Sequence, residues 1–383
     1  LGHRKPLTLI TSLIAREFWI VMIVLTFLPG LSATQKIYIF LAVYFLACIS
    51  GILSANAWIL WMGDLIPTAI RGRYLARRNL ILVLVALLVD QVGSQFFEWT
   101  KERGDPWLGH RTILGVAVVC AAVAGWFLWR QHEPKWHRTE APPPVQFLRE
   151  VWANANFKRV LKFFAVWNFG VGLSAAFFSV HMLTVLNMSY PTIWKYTLIT
   201  TVFGVLASIF WGHTHDRAGT KPILLSNAIL IGFLPGWWLF ATPDRLWPIW
   251  TDAVITGICW TGFNLAAFNL PLVTSPERLR PWYLAVFHGV AGATFGIASL
   301  LGGVLAEGAQ GFTLHIGPFT WINYHLLFIG SVLIRYLSLY FLHGIEVTPS
   351  ENLIFLVKML GNGLQKSFFT GRQFLTQPVR WPR

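Results

Sequence analysis

Gly212-His213-Thr214-His215-Asp216-Arg217-Ala218-Gly219-Thr220-Lys221 is a short polar island between two long apolar runs, 196–212 and 222–242. Runs of that length on both sides make the island a loop at a membrane surface. The rest of the chain has the same character. Of its 383 residues 55% are hydrophobic and 12% charged, against about a quarter charged in an ordinary soluble domain. That balance excludes a water-soluble enzyme, a nucleic-acid-binding module and a disordered chain.

Working outward from the island, runs able to cross about 30 Å of hydrocarbon as helix occur at 8–28, 37–60, 80–98, 113–131, 159–185, 196–212, 222–242, 248–272, 283–305 and 319–342. A transmembrane barrel would show strands of about ten residues in strict alternation, and these runs are continuous. The prediction is an all-α protein with ten spanning helices. The net charge of +14 follows from topology. One set of loops carries most of the Lys and Arg, while the other holds only Lys36, Lys101, Arg103, Arg111, Lys195 and Arg245. The basic side is cytoplasmic, which puts both full-length termini inside the cell (inner) membrane in a multi-pass arrangement. Cys48, Cys120 and Cys259 fall inside apolar runs and read as small hydrophobes.

The stretch 132–158, with Pro142-Pro143-Pro144, reads as a cytoplasmic linker between bundles at 1–131 and 159–342. In the tail, 343–383, apolar Leu353, Ile354, Leu356, Val357, Leu360 and Leu364 accompany Lys358 and Lys366. This pattern suits a helix lying on the inner surface, and a disordered tail accounts for it equally well.

The halves repeat. Pro67-Thr-Ala-Ile-Arg71-Gly-Arg-Tyr74-Leu75-Ala76 aligns without gaps to Pro276-Glu-Arg-Leu-Arg280-Pro-Trp-Tyr283-Leu284-Ala285, and each copy leads into a span. Gly2-His3-Arg4-Lys5-Pro6 likewise parallels Gly219-Thr220-Lys221-Pro222. With this repeat, the Gly212–Lys221 island resembles the cytoplasmic loop signature of the major facilitator superfamily, although Thr220 replaces a usual basic residue. The resemblance covers essentially the whole chain. It implies a two-bundle fold of twelve helices, of which this chain would supply helices three to twelve, with the first two missing from the N-terminal bundle.

Ionisable groups within a bilayer are costly and usually face the bundle interior or a water-filled path. Asp90 lies near mid-depth of its run, followed by Gln91, Ser94 and Gln95. The resemblance places it on helix five, which lines the family's central cavity, so Asp90, Gln91 and Gln95 are candidates for a substrate or proton path; a hydrogen-bonded structural carboxylate is the competing reading of Asp90. Asn168 beside Trp167, and Trp260 with Asn264, fall on helices that the resemblance also places at the cavity. Ordinary interhelical hydrogen bonds explain the two asparagines equally well. Arg16 and Glu17 read as an internal ion pair. Gly289, Gly292, Gly296, Gly302 and Gly303 suit close helix packing or sliding. Gly212, Asp216, Arg217, Gly219 and Lys221, with Asp64, Arg71 and Arg280, form the candidate cytoplasmic gate.

His213, His215 and Asp216 belong to the loop signature and are not read as a metal site; no cofactor and no enzymatic constellation is predicted. The resemblance implies a secondary transporter moving a small solute by alternating access with proton coupling, as a monomer in the lipid bilayer and without nucleic acid. The rival is a transport-inactive relative that keeps the fold as scaffold, assembly factor or sensor.

Overall fold

The computed structural model describes residues 4–28, 30–66, 68–133, 144–317 and 319–347, and the ten apolar runs are ten helices long and apolar enough to cross a membrane. Hydrocarbon offers no partner to backbone N–H and C=O groups, so a segment that closes its hydrogen bonds internally is the form these runs must take. The chain divides into two compact units, Leu1–Ala141 and Pro142–Arg383. The tail beyond residue 347, Gly2, His3 and Pro67, and the side chains of Asp64, Arg71 and Asp216, lie outside the described residues.

The first unit holds α1 (Arg4–Phe27), α2 (Ala33–Leu65), α3 (Thr68–Glu102) and α4 (Pro106–Arg130). Their starts are written locally. Ser32 Oγ accepts from the Gln35 N–H at 3.2 Å while the Gln35 side chain accepts from the Ser32 N–H at 2.9 Å, a reciprocal cap on α2. Asp105 accepts from the Leu108 N–H at 3.0 Å ahead of Pro106. α2 and α3 overrun their apolar runs and make helix of most of 61–79, because Arg and Lys are good helix formers once outside the hydrocarbon. α1 packs on α2 and α4, and α3 on α4. Trp61, Met62 and Ile66 form a small core. Arg16 and Glu17 do not pair with each other; adjacent positions on a helix point about 100° apart.

The second unit comprises α5 (Pro144–Ala153), α6 (Ala155–Val180), α7 (Tyr190–Ala218), α8 (Thr220–Trp237), α9 (Trp247–Thr274), α10 (Arg280–Gly308) and α11 (Asn323–His343). α6 continues into a π-helical turn, His181–Val185. Two features have no counterpart in the sequence reading. α5 occupies part of the Pro-rich stretch, with Val151 fully buried and Asn154 capping α6 through the Phe157 N–H at 2.9 Å. Between α10 and α11, β1 (Thr313–Ile316) pairs antiparallel with β2 (Phe319–Ile322).

α6 packs against α10 and α11, α7 against α9, and α8 against α9 and α11. Aromatic rings fill the middle: Trp167 stacks on Phe263 at 4.6 Å and Phe164 meets Phe287 edge-on at 4.8 Å. Two glycines allow the backbones to touch. A Cβ at Gly172 would strike the Phe295 carbonyl of α10, and one at Gly257 the Thr200 carbonyl of α7. Of the glycines noted on α10, only Gly302 meets another helix, at Leu173; a Cβ at Gly289, Gly292, Gly296 or Gly303 would touch nothing within 4 Å.

Gly257→Ala should therefore cost about 2 kcal/mol, since overpacking against rigid backbone cannot relax cheaply. Gly289→Ala, in open space, should be neutral. Thermal unfolding of the purified protein in detergent checks the pair, and equal midpoints for both variants would show that the α7–α9 contact is not this close.

Candidate functional site

Helices α6 and α11 on one side and α7 and α9 on the other leave a cavity of about 320 Å³ within the second unit. Two charged side chains line it: Asp252, 2% exposed, and Arg335, 3% exposed. Each sits within a spanning helix, α9 and α11. Leaving charges there costs several kcal/mol unless they are partnered.

Asp252 is partnered by hydroxyls. Tyr196 Oη of α7 donates to its carboxylate at 2.7 Å, and Thr256 Oγ1, one turn along α9, at 3.5 Å. Arg335 has a different neighbour. Pro235 lies inside α8, and a proline has no N–H to give the carbonyl four residues back. That carbonyl belongs to Ile231, and Arg335 Nη1 donates to it at 3.1 Å. The guanidinium also stands 6.0 Å from the Trp167 ring centroid. It makes no ion pair among the described residues, and its Nε is buried without a partner.

Where α6 ends and α11 begins, His181 and His325 are buried with their Nε2 atoms 3.2 Å apart. The Ile322 N–H donates to His325 Nδ1 at 2.8 Å. The His325 proton is therefore on Nε2 and is donated to His181, whose own proton falls on Nδ1, an atom without a partner among the described residues. This bond staples α6 to α11. Trp238 stands beside it, 5.9 Å from the His181 ring and 6.3 Å from the Tyr196 ring.

At the other end of α11 is a second clamp, made from α8 and α6. Lys221 Nζ donates to the carbonyls of His343 and Ile345 at 2.9 and 2.7 Å, and Arg159 Nη1 to that of Gly344 at 2.7 Å. These bonds satisfy carbonyls that the end of α11 leaves free. Gly219 separates α7 from α8 with φ of +78°, a conformation that favours glycine. Its N–H donates to the His215 carbonyl at 3.0 Å.

The sequence candidates distribute unevenly over these features. Trp260 lines the cavity with Asp252 and Arg335. Asn168 is half-buried and donates to the Phe164 carbonyl of its own helix at 2.8 Å, while Asn264 is exposed. On α3, Asp90 and Gln95 are exposed and Gln91 is half-buried. The larger cavity of the first unit, about 710 Å³, is lined by Arg16 and Arg78 and by none of those three. Among the gate residues, Gly219 and Lys221 make the contacts just described, Gly212 has open space around it, Arg217 is exposed, and Arg280 pairs with Glu277 at 3.8 Å. Asp252, Arg335 and Tyr196 are absent from the sequence candidates. The first two carry the signal that singled out Asp90, a charged residue inside an apolar run.

Fold and spans define the class: a multi-pass membrane protein with the two-bundle fold of the major facilitator superfamily. No protein-family model matches the chain. Among solved structures, the nucleoside transporter NupG is similar over 88% of this chain and 83% of its own, at a TM-score of 0.61 and 12% identity. The xylose transporter XylE from E. coli covers 93% and 83%, at 0.60 and 14%. Among curated proteins, the multidrug resistance protein MdtG of Salmonella choleraesuis is 33% identical over 135 residues, 34% of this chain and 30% of that protein. A Na(+), Li(+), K(+)/H(+) antiporter of Planococcus maritimus is 26% identical over 169 residues, 42% of this chain and 35% of that protein. The matched stretches thus span about a third of those relatives. Two of the four are named as transporters, one as an antiporter and one as a multidrug resistance protein.

Tyr196→Phe removes the short bond to a buried carboxylate and should destabilise the second unit by about 1–3 kcal/mol. Tyr340→Phe, at a position 78% exposed, should not. A thermal midpoint unchanged in Tyr196→Phe would mean that the phenol does not hold Asp252.

Proposed function

We propose that this protein is a secondary transporter that moves a small solute across the membrane by alternating access, coupled to protons. The observation that carries the reading is the pair of buried charges, Asp252 and Arg335, lining one cavity between spanning helices. A membrane protein with only a structural task has little reason to bear that cost, whereas a solute path needs polar groups at depth. The transporter relatives and the fold support the same conclusion.

Asp252 is the coupling group in this proposal. Its carboxylate is held by two hydroxyls, and taking up a proton removes its charge without disturbing the packing around it. Trp260 supplies a wall of the path, with Asn264 on the same helix, α9, and Asn168 on α6. Asp90, Gln91 and Gln95 are the polar positions proposed for the path in the first unit, on α3. Gly212, Asp216, Arg217, Gly219, Lys221 and Arg280 are the gate residues proposed for the second unit, and Asp64 and Arg71 those proposed for the first. Both termini face the cytoplasm, following the basic loops.

Uptake into cells or proteoliposomes, screened over solutes with and without an imposed proton gradient, tests the reading. Wild-type protein should accumulate a solute only with the gradient. Asp252→Asn should abolish accumulation while leaving solute exchange measurable, because the amide keeps size and hydrogen bonding but cannot titrate. Asp90→Asn should lower accumulation less. Full gradient-driven uptake by Asp252→Asn would remove Asp252 from the coupling role, and no uptake of any solute by the wild type would leave the fold without transport.

A further inference from the structure

We propose that the cavity of the second unit recognises the anionic group of a small, flat, apolar solute, an aryl carboxylate in chemical class, and that Arg335 is the residue that binds it. The proposal rests on the transporter reading for where the solute goes and for the protonation of Asp252, and the recognition itself follows from the unfilled donors of Arg335.

A guanidinium has five N–H donors in a rigid fork. In Arg335 one bond serves the carbonyl left free by Pro235. That bond is a structural task, and a neutral donor would perform it at lower cost. Among the described residues the full positive charge, 3% exposed and inside a spanning helix, has no carboxylate in ion-pair contact, and Nε has no hydrogen-bond partner. Buried charges of this kind are compensated by an opposite charge or are strongly destabilising. Asp252, in the same cavity, is the electrostatic partner of Arg335 beyond ion-pair distance; once Asp252 takes up a proton, a ligand that enters can supply the opposite charge in its place, and the planar fork matches a carboxylate's two oxygens.

The remaining walls define the body of the solute. Trp238, Trp260, Phe178 and Met182 line the same space, giving flat and polarisable surfaces suited to an aromatic ring. About 320 Å³ is near the lower end of ligand pockets, roughly 300–1,000 Å³, so the solute is small. Asp252 faces the same cavity and would repel an anion while ionised. The proton uptake proposed for it removes that repulsion, so that anion and proton occupy the cavity together.

Equilibrium dialysis of the full chain in detergent, with phenylacetate, phenylacetamide and phenethylamine as matched probes, tests this. Phenylacetate should bind at least about tenfold more tightly than the amide, the difference expected for a charge-assisted bond to a buried donor. The amine should bind no better than the amide. Arg335→Gln should erase the preference and Arg335→Lys retain part of it. If neither variant folds, the wild-type ranking decides alone. Equal binding of acid and amide, stronger binding of the amine, or no binding of any probe overturns the proposal. Carboxylate binding without transport would uphold the site and sink the transporter reading, while gradient-driven uptake without carboxylate preference would do the reverse.

Discussion

Hydrocarbon cannot hydrogen-bond, and the organisation of this chain follows from that constraint. It forces the ten apolar runs into helices that satisfy their own backbones, and it makes each interruption a debt to be met from within the protein. Pro235 is the clearest case. The proline leaves the Ile231 carbonyl without its helical partner, and Arg335 reaches across from α11 to supply one. Hydroxyls elsewhere fold back on their own helices, as Thr200 and Thr261 do onto the carbonyls of Tyr196 and Gly257. Two buried charged groups of the second unit, Asp252 and Arg335, share one place, its cavity.

That place lies between two helix pairs that are held together differently. α6 and α11 are fastened at both ends, by the His181–His325 bond at one and by Arg159 reaching the end of α11 at the other. α7 and α9 touch backbone to backbone at Gly257 and are joined by the Tyr196–Asp252 bond. The pairs are themselves joined, by α8, which packs against both α9 and α11, and by Trp167 of α6 stacked on Phe263 of α9.

The aromatic content serves both sides of this arrangement. Trp167, Phe163, Phe164 and Phe263 are packed in the core at ring separations of 4.6 to 6.4 Å, filling volume where glycine contacts bring helices close. Trp238 and Trp260, by contrast, present part of their surface to the cavity. Many large side chains on the outer faces, such as Leu300 at 75% exposed, have no protein partner in their own unit and suit a lipid environment, which is as apolar as they are.

The span count, the break at Gly219 and the helix caps at Ser32, Asp105 and Asn154 were determined by the sequence itself, because each depends on length, local hydrogen bonding or backbone freedom within a few residues. The fold followed from the loop signature and its partial repeat for the same reason. The site was only half legible. Asp90 and Asp252 present the same signal in one dimension, a carboxylate inside an apolar run, but a helix has both an outward and an inward face. Which face a residue takes is set by the neighbours packed against it, and only the tertiary structure showed Asp252 enclosed beside Tyr196 and Asp90 exposed within its unit. Arg335 meets Ile231 over 104 residues of chain, and no local pattern encodes a contact made by packing α11 onto α8.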